Sequence, residues 1–489
     1  MENHFSDLIR IIDKRGDFLF GMGVSAFMRV LPALFLNNYR IIAYKNSQDL
    51  GEIGRYCSVF SLQRDHPEEE ASPEDSVDST FLLENHRVRQ YIKGFDGRIH
   101  LFVYQSTDGI EETCREFGWN IIGNPTRLRR EFGDKGKFRC VLQRLGIPLI
   151  LGEQVSRDEL MRRGYHNISS RLGGNMVFQL PDITKGGGRG TFFVRSQEDY
   201  LDFLSCISTG SYRGYAIKSV IVAKFIDGTP ASVAVCATRH GALISSIQTQ
   251  VMDIPEVLDV PRGNGFFCGH DWSYRYYSAS LQERITSIAR KLSNHMWNSG
   301  YRGIFGIDFV VDDEEGEVYP MECNTRYTGA FPMLSMQHLA NGAIPMDVFH
   351  ILEFLDADYE IDVGEVTRTY RRPMRGSHII LFNREHVPLK VGRSVRSGVY
   401  RYDFERHRVE FVRTGLTYED FNDDDEFILT DGVPRKGGVV VFNDELTRVC
   451  RLLFPFQIID SPTELNEKAR EIINLVYEQF DFRPLRAEE

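Results

Sequence analysis

Apolar residues follow two rhythms along this chain. The run at 17–25 ("DFLFGMGVS") predicts a strand running into a glycine-containing turn, and short, mostly apolar runs at 39–44 ("YRIIAY") and 98–106 ("RIHLFVYQS") predict buried strands. Between the first two, "AFMRVLPALFL" predicts a helix kinked at Pro32. The acidic stretch 65–80 predicts a solvated loop. Strands alternating with helices imply a parallel sheet with crossovers, a Rossmann-like first part. The period then changes to that of a helix. In "GDKGKFRCVLQRLGIP" (133–148), Phe138, Val141, Leu142 and Leu145 fall on one face, and Gly146 and Pro148 end it. Residues 149–230 read as a small α+β unit. In it "NMVFQL" and "GTFFV" are strands flanking a glycine-rich loop, Ser196 and Asp199 open a helix as a capping box, and 216–228 is a strand running into a turn. Antiparallel strands follow from 231. A helix with Leu281, Ile285, Ile288 and Leu292 on one face comes next, then two strands, "GIFGIDFVVDD" and "EVYPMECN", around a polar turn. From about 360 the runs are mostly strand-like. They read as a separate β-rich appendage closed by a capped terminal helix, "SPTELNEKAREIINLVYEQF".

Composition narrows the class. The chain has 489 residues, 42% hydrophobic and 26% charged, which suits a soluble globular protein of about three domains. A net charge of −11 argues against a nucleic-acid partner. The eight cysteines contain no C-x-x-C pair, so a zinc site is not expected and reduced thiols are. The start lacks a signal-peptide core, and no apolar run approaches the roughly 20 residues of a membrane span. The expected compartment is the cytoplasm, with no membrane partner.

Two constellations carry chemistry. The first is "QLPDITKGGGRGTFFV" (179–194), with Gly186, Gly187, Gly188 and Gly190. Glycines let backbone N–H groups approach an anion without a Cβ in the way. No Gly-Lys-Ser/Thr ends the loop, so it is not a Walker loop, and a plain hairpin with a glycine tip is the alternative. The second is Asp308, Glu322 and Asn324. Glu322 and Asn324 are two apart on one strand and share a face, and Asp308 lies on the strand before it. Two carboxylates and an amide oxygen suit Mg²⁺ (or Mn²⁺) with a triphosphate, and a solvent-facing hairpin is the alternative. Arg326 falls on the same face, where a cation can neutralise phosphate or hold a carboxylate.

"GDKGKFRCVLQRLGIP", "VFQLPDITKGGGRGTFFV", "VAKFIDG", "FGIDFVV" and "MECNTR", in that order over residues 17–355, resemble the ATP-grasp superfamily. The nearest likeness is to biotin carboxylase-type members and to amino-acid or peptide carboxylate–amine ligases. That resemblance implies an α/β and α+β chain in three parts: a Rossmann-like pre-ATP-grasp domain at 1–133, a two-lobed ATP-grasp domain at 134–358 with its small lobe at about 149–230, and a β-rich domain at 359–489. It implies ATP and Mg²⁺ as cofactors. Lys135 would reach the phosphates, and the glycines at 186, 187, 188 and 190 would close over them. Backbone around Lys224, Phe225 and Ile226 would meet adenine, Asp308, Glu322 and Asn324 would hold metal, and Arg326 would face the reacting acyl group. Two positions depart from the family. Gln179 stands where lysine is usual, and Lys185 would supply the missing charge; Ala223 replaces an acid that commonly meets the adenine amino group.

The implied activity is ATP-dependent joining of a small carboxylate to an amine through an acyl phosphate. Many such relatives are dimers or larger. Two alternatives stay open: a biotin- or bicarbonate-using carboxylase, and a nucleotide-binding regulator without turnover, which Gln179 and Ala223 favour. The stretch 259–277, with Arg262, His270 and Asp271, reads as a loop for substrate recognition or as an ordinary connection. A rival fingerprint, Gly21-x-Gly23-x-x-Ala26 with Asp49 further on, would suit a dinucleotide.

Overall fold

The computed structural model describes residues 2–72, 75–183, 190–258, 265–275, 277–313, 316–441 and 448–485. Five strands, β1 (Phe18–Gly23), β2 (Tyr39–Ala43), β3 (Val59–Ser61), β4 (Ile99–Val103) and β5 (Asn120–Ile122), form a parallel sheet in the order β3-β2-β1-β4-β5. The strand order reverses at β1, as in doubly wound sheets. The predicted helix after β1 is instead two 3₁₀ turns, Phe27–Arg29 and Leu31–Leu34. Pro32 has no N–H to continue an α-helical ladder and sits in the first turn of the second piece.

The dinucleotide fingerprint does not form a phosphate cradle. A Cβ on Gly21 would lie 1.9 Å from the Tyr39 hydroxyl, and one on Gly23 would lie 3.2 Å from Arg29 Nε. Protein side chains fill the space these glycines leave. Asp49 is buried and accepts from the Gly432 N–H at 3.2 Å, so the acid of the fingerprint braces the C-terminal third.

Helix α1 (Lys135–Arg144) leads out of this layer, its N-terminus capped by Asp134, whose carboxylate accepts from the Lys137 N–H. Phe138, Val141 and Leu142 are its buried face, as the period predicts. The small lobe is a four-stranded antiparallel sheet of β6 (Gly152–Ser156), β7 (Met176–Gln179), β8 (Thr191–Val194) and β9 (Ser219–Lys224), in the order β6-β9-β7-β8. Helix α2 (Gln197–Ile207) backs it and carries the predicted capping box between Ser196 and Asp199.

The largest sheet begins with β10 (Gly228–Thr238), β11 (Gln248–Met252), β12 (Phe267–Asp271), β13 (Gly303–Asp312) and β14 (Val318–Asn324), backed by α3 (Ala279–Asn298). It does not end there. β15 (Ser377–Phe382) pairs with β12, and β16 (Gly398–Asp403), β17 (Arg408–Arg413), β18 (Glu426–Thr430) and β19 (Arg448–Phe454) continue it. The order is β14-β13-β10-β11-β12-β15-β19-β18-β16-β17, with Gly241–Ile244 pairing β10 off this path, eleven strands in all. The strands read as a separate appendage thus extend the sheet that carries Asp308. The closing helix, α4 (Glu467–Phe480), starts later than the sequence suggests; Asn466 caps it, and Ser461 belongs to a short hairpin. Two helices, Phe331–Ala340 and Met346–Phe354, share one apolar core with the parallel sheet and β10. No helix among the described residues is long and apolar enough to cross a membrane.

Candidate active site

A cavity of about 1110 Å³ opens between the small lobe, the large sheet and the end of the parallel sheet. Its floor is the face of β13 and β14. Asp308 stands opposite Glu322 in the β13–β14 register, and a bulge follows Asp308. The Asn324 amide donates to Asp308 Oδ2 at 2.7 Å, and Gln250 Nε2, from β11, donates to Oδ1 at 3.0 Å. Lys135, the first residue of α1, reaches across to Glu322 Oε2 at 2.9 Å. That approach needs the helix start to lie tight on β6. A Cβ on the next residue, Gly136, would meet Gln154 Oε1 at 2.2 Å.

The two carboxylates respond differently to their surroundings. Burial, and then the nearby Glu322 carboxylate, push Asp308 up to about 7. Burial also acts to raise Glu322, but Lys135 and Arg326 outweigh it and leave Glu322 below the usual carboxylate range. Two facing carboxylates, one of them holding its proton near neutral pH chiefly through burial, with an amide beside them, form an oxygen donor set that fits a hard divalent cation.

Arg326 is aimed by Tyr104. Its Nη1 donates to the Tyr104 hydroxyl and, at 3.1 Å, to the Tyr327 carbonyl, and its guanidinium lies 5.1 Å from the centre of the Tyr104 ring. Sequence reasoning missed Arg129, which also lines the cavity. Its Nε is buried with no hydrogen-bond partner among the described residues, and burial, then Arg130 and Arg326, lower its pKa. Gln248 Oε1, also lining the cavity, is a buried acceptor without a donor among the described residues. No motif flags either residue; only tertiary placement does.

The small lobe overhangs this floor. Gln179 ends β7 opposite Thr191 of β8, and both line the cavity. Gly190 is described, whereas Lys185, Gly186, Gly187 and Gly188 lie outside the described residues. At the junction of the lobes the Lys224 N–H is committed to the Leu151 carbonyl at 2.8 Å and that of Phe225 to Asn175 at 3.0 Å. Ala223 presents only a methyl group there, and Phe225 and Ile226 line the same wall.

The expected substrate loop is partly strand. His270 and Asp271 are the last two residues of β12, and both are buried where that strand pairs with β11 on one edge and β15 on the other. Asp271 accepts from the N–H groups of Ser273, Tyr274 and Ile458 and does not line the cavity, so it braces a turn rather than meeting a ligand. Burial pushes it up to about 6. His270 does border the cavity, and burial, helped by Arg451, lowers it to about 3, so it is neutral. Arg262 lies outside the described residues.

Comparison with known proteins gives a consistent answer. A family model for the ATP-grasp domain matches residues 182–330. The alpha subunit of mitochondrial methylcrotonoyl-CoA carboxylase from Oryza sativa subsp. japonica is 26% identical over 244 residues, 48% of this chain and 30% of that protein. Biotin carboxylase 1 of Bacillus subtilis (strain 168) is 21% identical over 242 residues, 48% of this chain and 49% of that one. The matches therefore span from under a third to about half the length of these curated relatives. Among solved structures, the biotin carboxylase domain dimer of Hydrogenobacter thermophilus 2-oxoglutarate carboxylase, in complex with MgADP, ADP and bicarbonate, superposes with a TM-score of 0.60 at 13% identity, covering 96% of this chain and 91% of that one. The N5-carboxyaminoimidazole synthase of Aspergillus clavatus, with ADP and 5-aminoimidazole ribonucleotide, gives 0.53 at 14% identity, covering 95% and 99%.

Proposed function

From the premise that this chain belongs to the ATP-grasp superfamily, with a biotin carboxylase-like fold, we propose that it is an ATP-dependent carboxylase acting on a small nitrogen nucleophile. A bicarbonate oxygen attacks the γ-phosphorus of ATP, the bond to the β-phosphate oxygen breaks, and ADP leaves. The carboxyphosphate so formed is attacked at carbon by the nucleophile nitrogen. Phosphate leaves with one former bicarbonate oxygen, and the nitrogen gives up a proton. Such transfers need positioning and charge neutralisation more than covalent help from the protein.

The observation that carries this reading is the Asp308–Glu322 pair with Lys135 on one side and Arg326 on the other, on the floor of a single cleft. Asp308, Glu322 and Asn324 would hold Mg²⁺, which when bound draws negative charge from the phosphate oxygens. Lys135 would leave Glu322 to meet phosphate. Arg326, held by Tyr104, and Arg129, with an unused N–H, would hold the anionic substrate. Lys185, Gly186, Gly187, Gly188 and Gly190 would cover the phosphates beside Gln179, and Lys224 to Ile226 would border adenine. Residues 1–133, 134–358 and 359–489 are on this reading the pre-ATP-grasp, ATP-grasp and C-terminal parts of a cytoplasmic enzyme that works as a dimer.

The amino-acid or peptide ligase is the second reading, and one observation favours it. The cavity of about 1110 Å³ is at the upper end of small-molecule sites, with room beside ATP for a substrate larger than bicarbonate. Both readings are tested in one experiment: ADP release with Mg·ATP, in the presence of ¹⁸O-bicarbonate or of pooled amino acids and small carboxylates. Bicarbonate-dependent ADP release with ¹⁸O in the phosphate supports the carboxylase; release that depends on amino acids instead moves the assignment to the ligase. ATP binding without ADP formation in either arm would refute both in favour of a protein without turnover.

A further inference from the structure

The polar side chains on the cleft floor do not stop at Asp308. Ser232 of β10 stands opposite Asp308 in the sheet register and lines the cleft. Its Oγ is 3.3 Å from His270 Nε2. His270 Nδ1 is 3.1 Å from His378 Nε2, and His378 Nδ1 is 2.8 Å from Arg451 Nη1. These four side chains come from β10, β12, β15 and β19 and cross the sheet in one file. Arg451 is fully buried, and its Nε donates to Asp431 Oδ2 at 3.0 Å. Asp431 in turn accepts from Ser25, in the turn after β1.

The direction of every bond in this file follows from its last member. A guanidinium has only donors and keeps its protons. His378 Nδ1 must therefore accept, so a neutral His378 carries its one N–H at Nε2 and donates to His270 Nδ1. By the same step His270 carries its N–H at Nε2 and donates to Ser232 Oγ. A second proton on either ring would set two donors face to face. The Ser232 hydroxyl, having accepted, is left with its own O–H to give, and that O–H has no acceptor among the described residues.

We propose that Ser232 is a ligand-binding donor in the cleft and that Arg451, through His378 and His270, is the positioning group that fixes its hydroxyl in the donating sense. Its acceptor is an anionic oxygen lying beside Asp308, belonging either to the terminal phosphate of the nucleotide or to the carboxylate substrate. The ligand in this proposal rests on the reading of the cleft given above, whereas the bond directions rest on the side-chain geometry alone.

The test uses the full chain in two measurements. Long-range ¹H–¹⁵N spectra, assigned with His270→Gln and His378→Gln, should show both rings neutral with the proton on Nε2; a proton on Nδ1 of either ring overturns the file. Calorimetric titration of wild type and Ser232→Ala with Mg·ATP and with bicarbonate should show a loss of about ten-fold for one of the two, which also says which oxygen Ser232 meets. Unchanged affinity for both overturns the proposal while leaving the cleft reading intact; a wild type that binds neither overturns both. His378→Gln, whose amide can accept from Arg451 and donate to His270, should keep near-wild-type affinity, and His378→Leu should reproduce the Ser232→Ala loss. Equal affinities in these two variants would refute the positioning role.

Discussion

Replacing Asp308 with asparagine should stabilise the metal-free protein while removing its proposed activity. Asp308 sits half-buried against Glu322, and burial first and that carboxylate second push its carboxyl from 3.8 to about 7. A native group with a raised pKa keeps its proton where the unfolded chain has lost it. Wild-type stability is therefore unpenalised below pH 3.8, falls as pH rises toward 7, and carries the whole cost above that. About three pKa units at roughly 1.4 kcal/mol each set an upper limit of about 4 kcal/mol. The side chain partly faces the cleft, where water screens it, so roughly 2 kcal/mol is the expected gain. An asparagine has one oxygen to accept with, and the donors now given by Asn324 and Gln250 would need one amide to turn over, which neither backbone prevents. Thermal melts of both proteins in chelator from pH 5 to 8 provide the assay. The variant should gain on wild type steadily up to about pH 7 and then run parallel to it. Added Mg²⁺ should raise the wild-type midpoint, most at high pH, and leave the variant unmoved. A gap between the two that stays flat from pH 5 to 8 would refute the argument that burial beside Glu322 raises the Asp308 carboxyl.

Three other outcomes are expected. Lys135→Met should weaken Mg·ATP binding by about ten-fold in calorimetry, since a charged hydrogen bond is worth roughly 1.5–3 kcal/mol and the Glu322 charge is left without its 2.9 Å partner. Gly21→Ala should lower the melting temperature, at a cost of about 1–3 kcal/mol, because the new methyl meets the Tyr39 hydroxyl at 1.9 Å in a filled core. Glu426, buried between Arg413 and Arg401, is lowered to about 2 chiefly by the Arg413 hydrogen bonds. Its contribution is complete above about pH 4.5 and lost as pH falls toward 2, so Glu426→Gln should be less stable than wild type at pH 7, with the gap narrowing below about pH 4.5 and closing only near pH 2 in acid melts.

Local pattern carried much of this structure. The face of α1, the Ser196–Asp199 box and the shared face of Glu322 and Asn324 all follow from spacings of two to four residues, and each stands as the spacing predicts. Features that depend on distant partners were not legible. "GFFCGHDW" looks like a loop because glycine and aromatics dominate it. Pairing with β15, more than a hundred residues on in the case of His270 and His378, makes it a buried strand. Nothing near Arg129 in sequence signals that its Nε would be sealed off beside Arg326. Gly21 and Gly23 mimic a nucleotide fingerprint, and only the placement of Tyr39 and Arg29 gives their purpose as packing.

The eleven-stranded sheet has a consequence for how this protein can be divided. A chain cut near residue 358 would lose β15 and leave the backbone of Gly269, His270 and Asp271 unpaired along a bare sheet edge. It would also lose the Ile458 N–H that Asp271 accepts from. Exposed edges recruit other strands, so the shortened chain should associate with itself rather than survive as a smaller working unit. The last third therefore cannot be deleted or expressed apart without baring the edge of β12, the strand whose His270 stands beside Ser232.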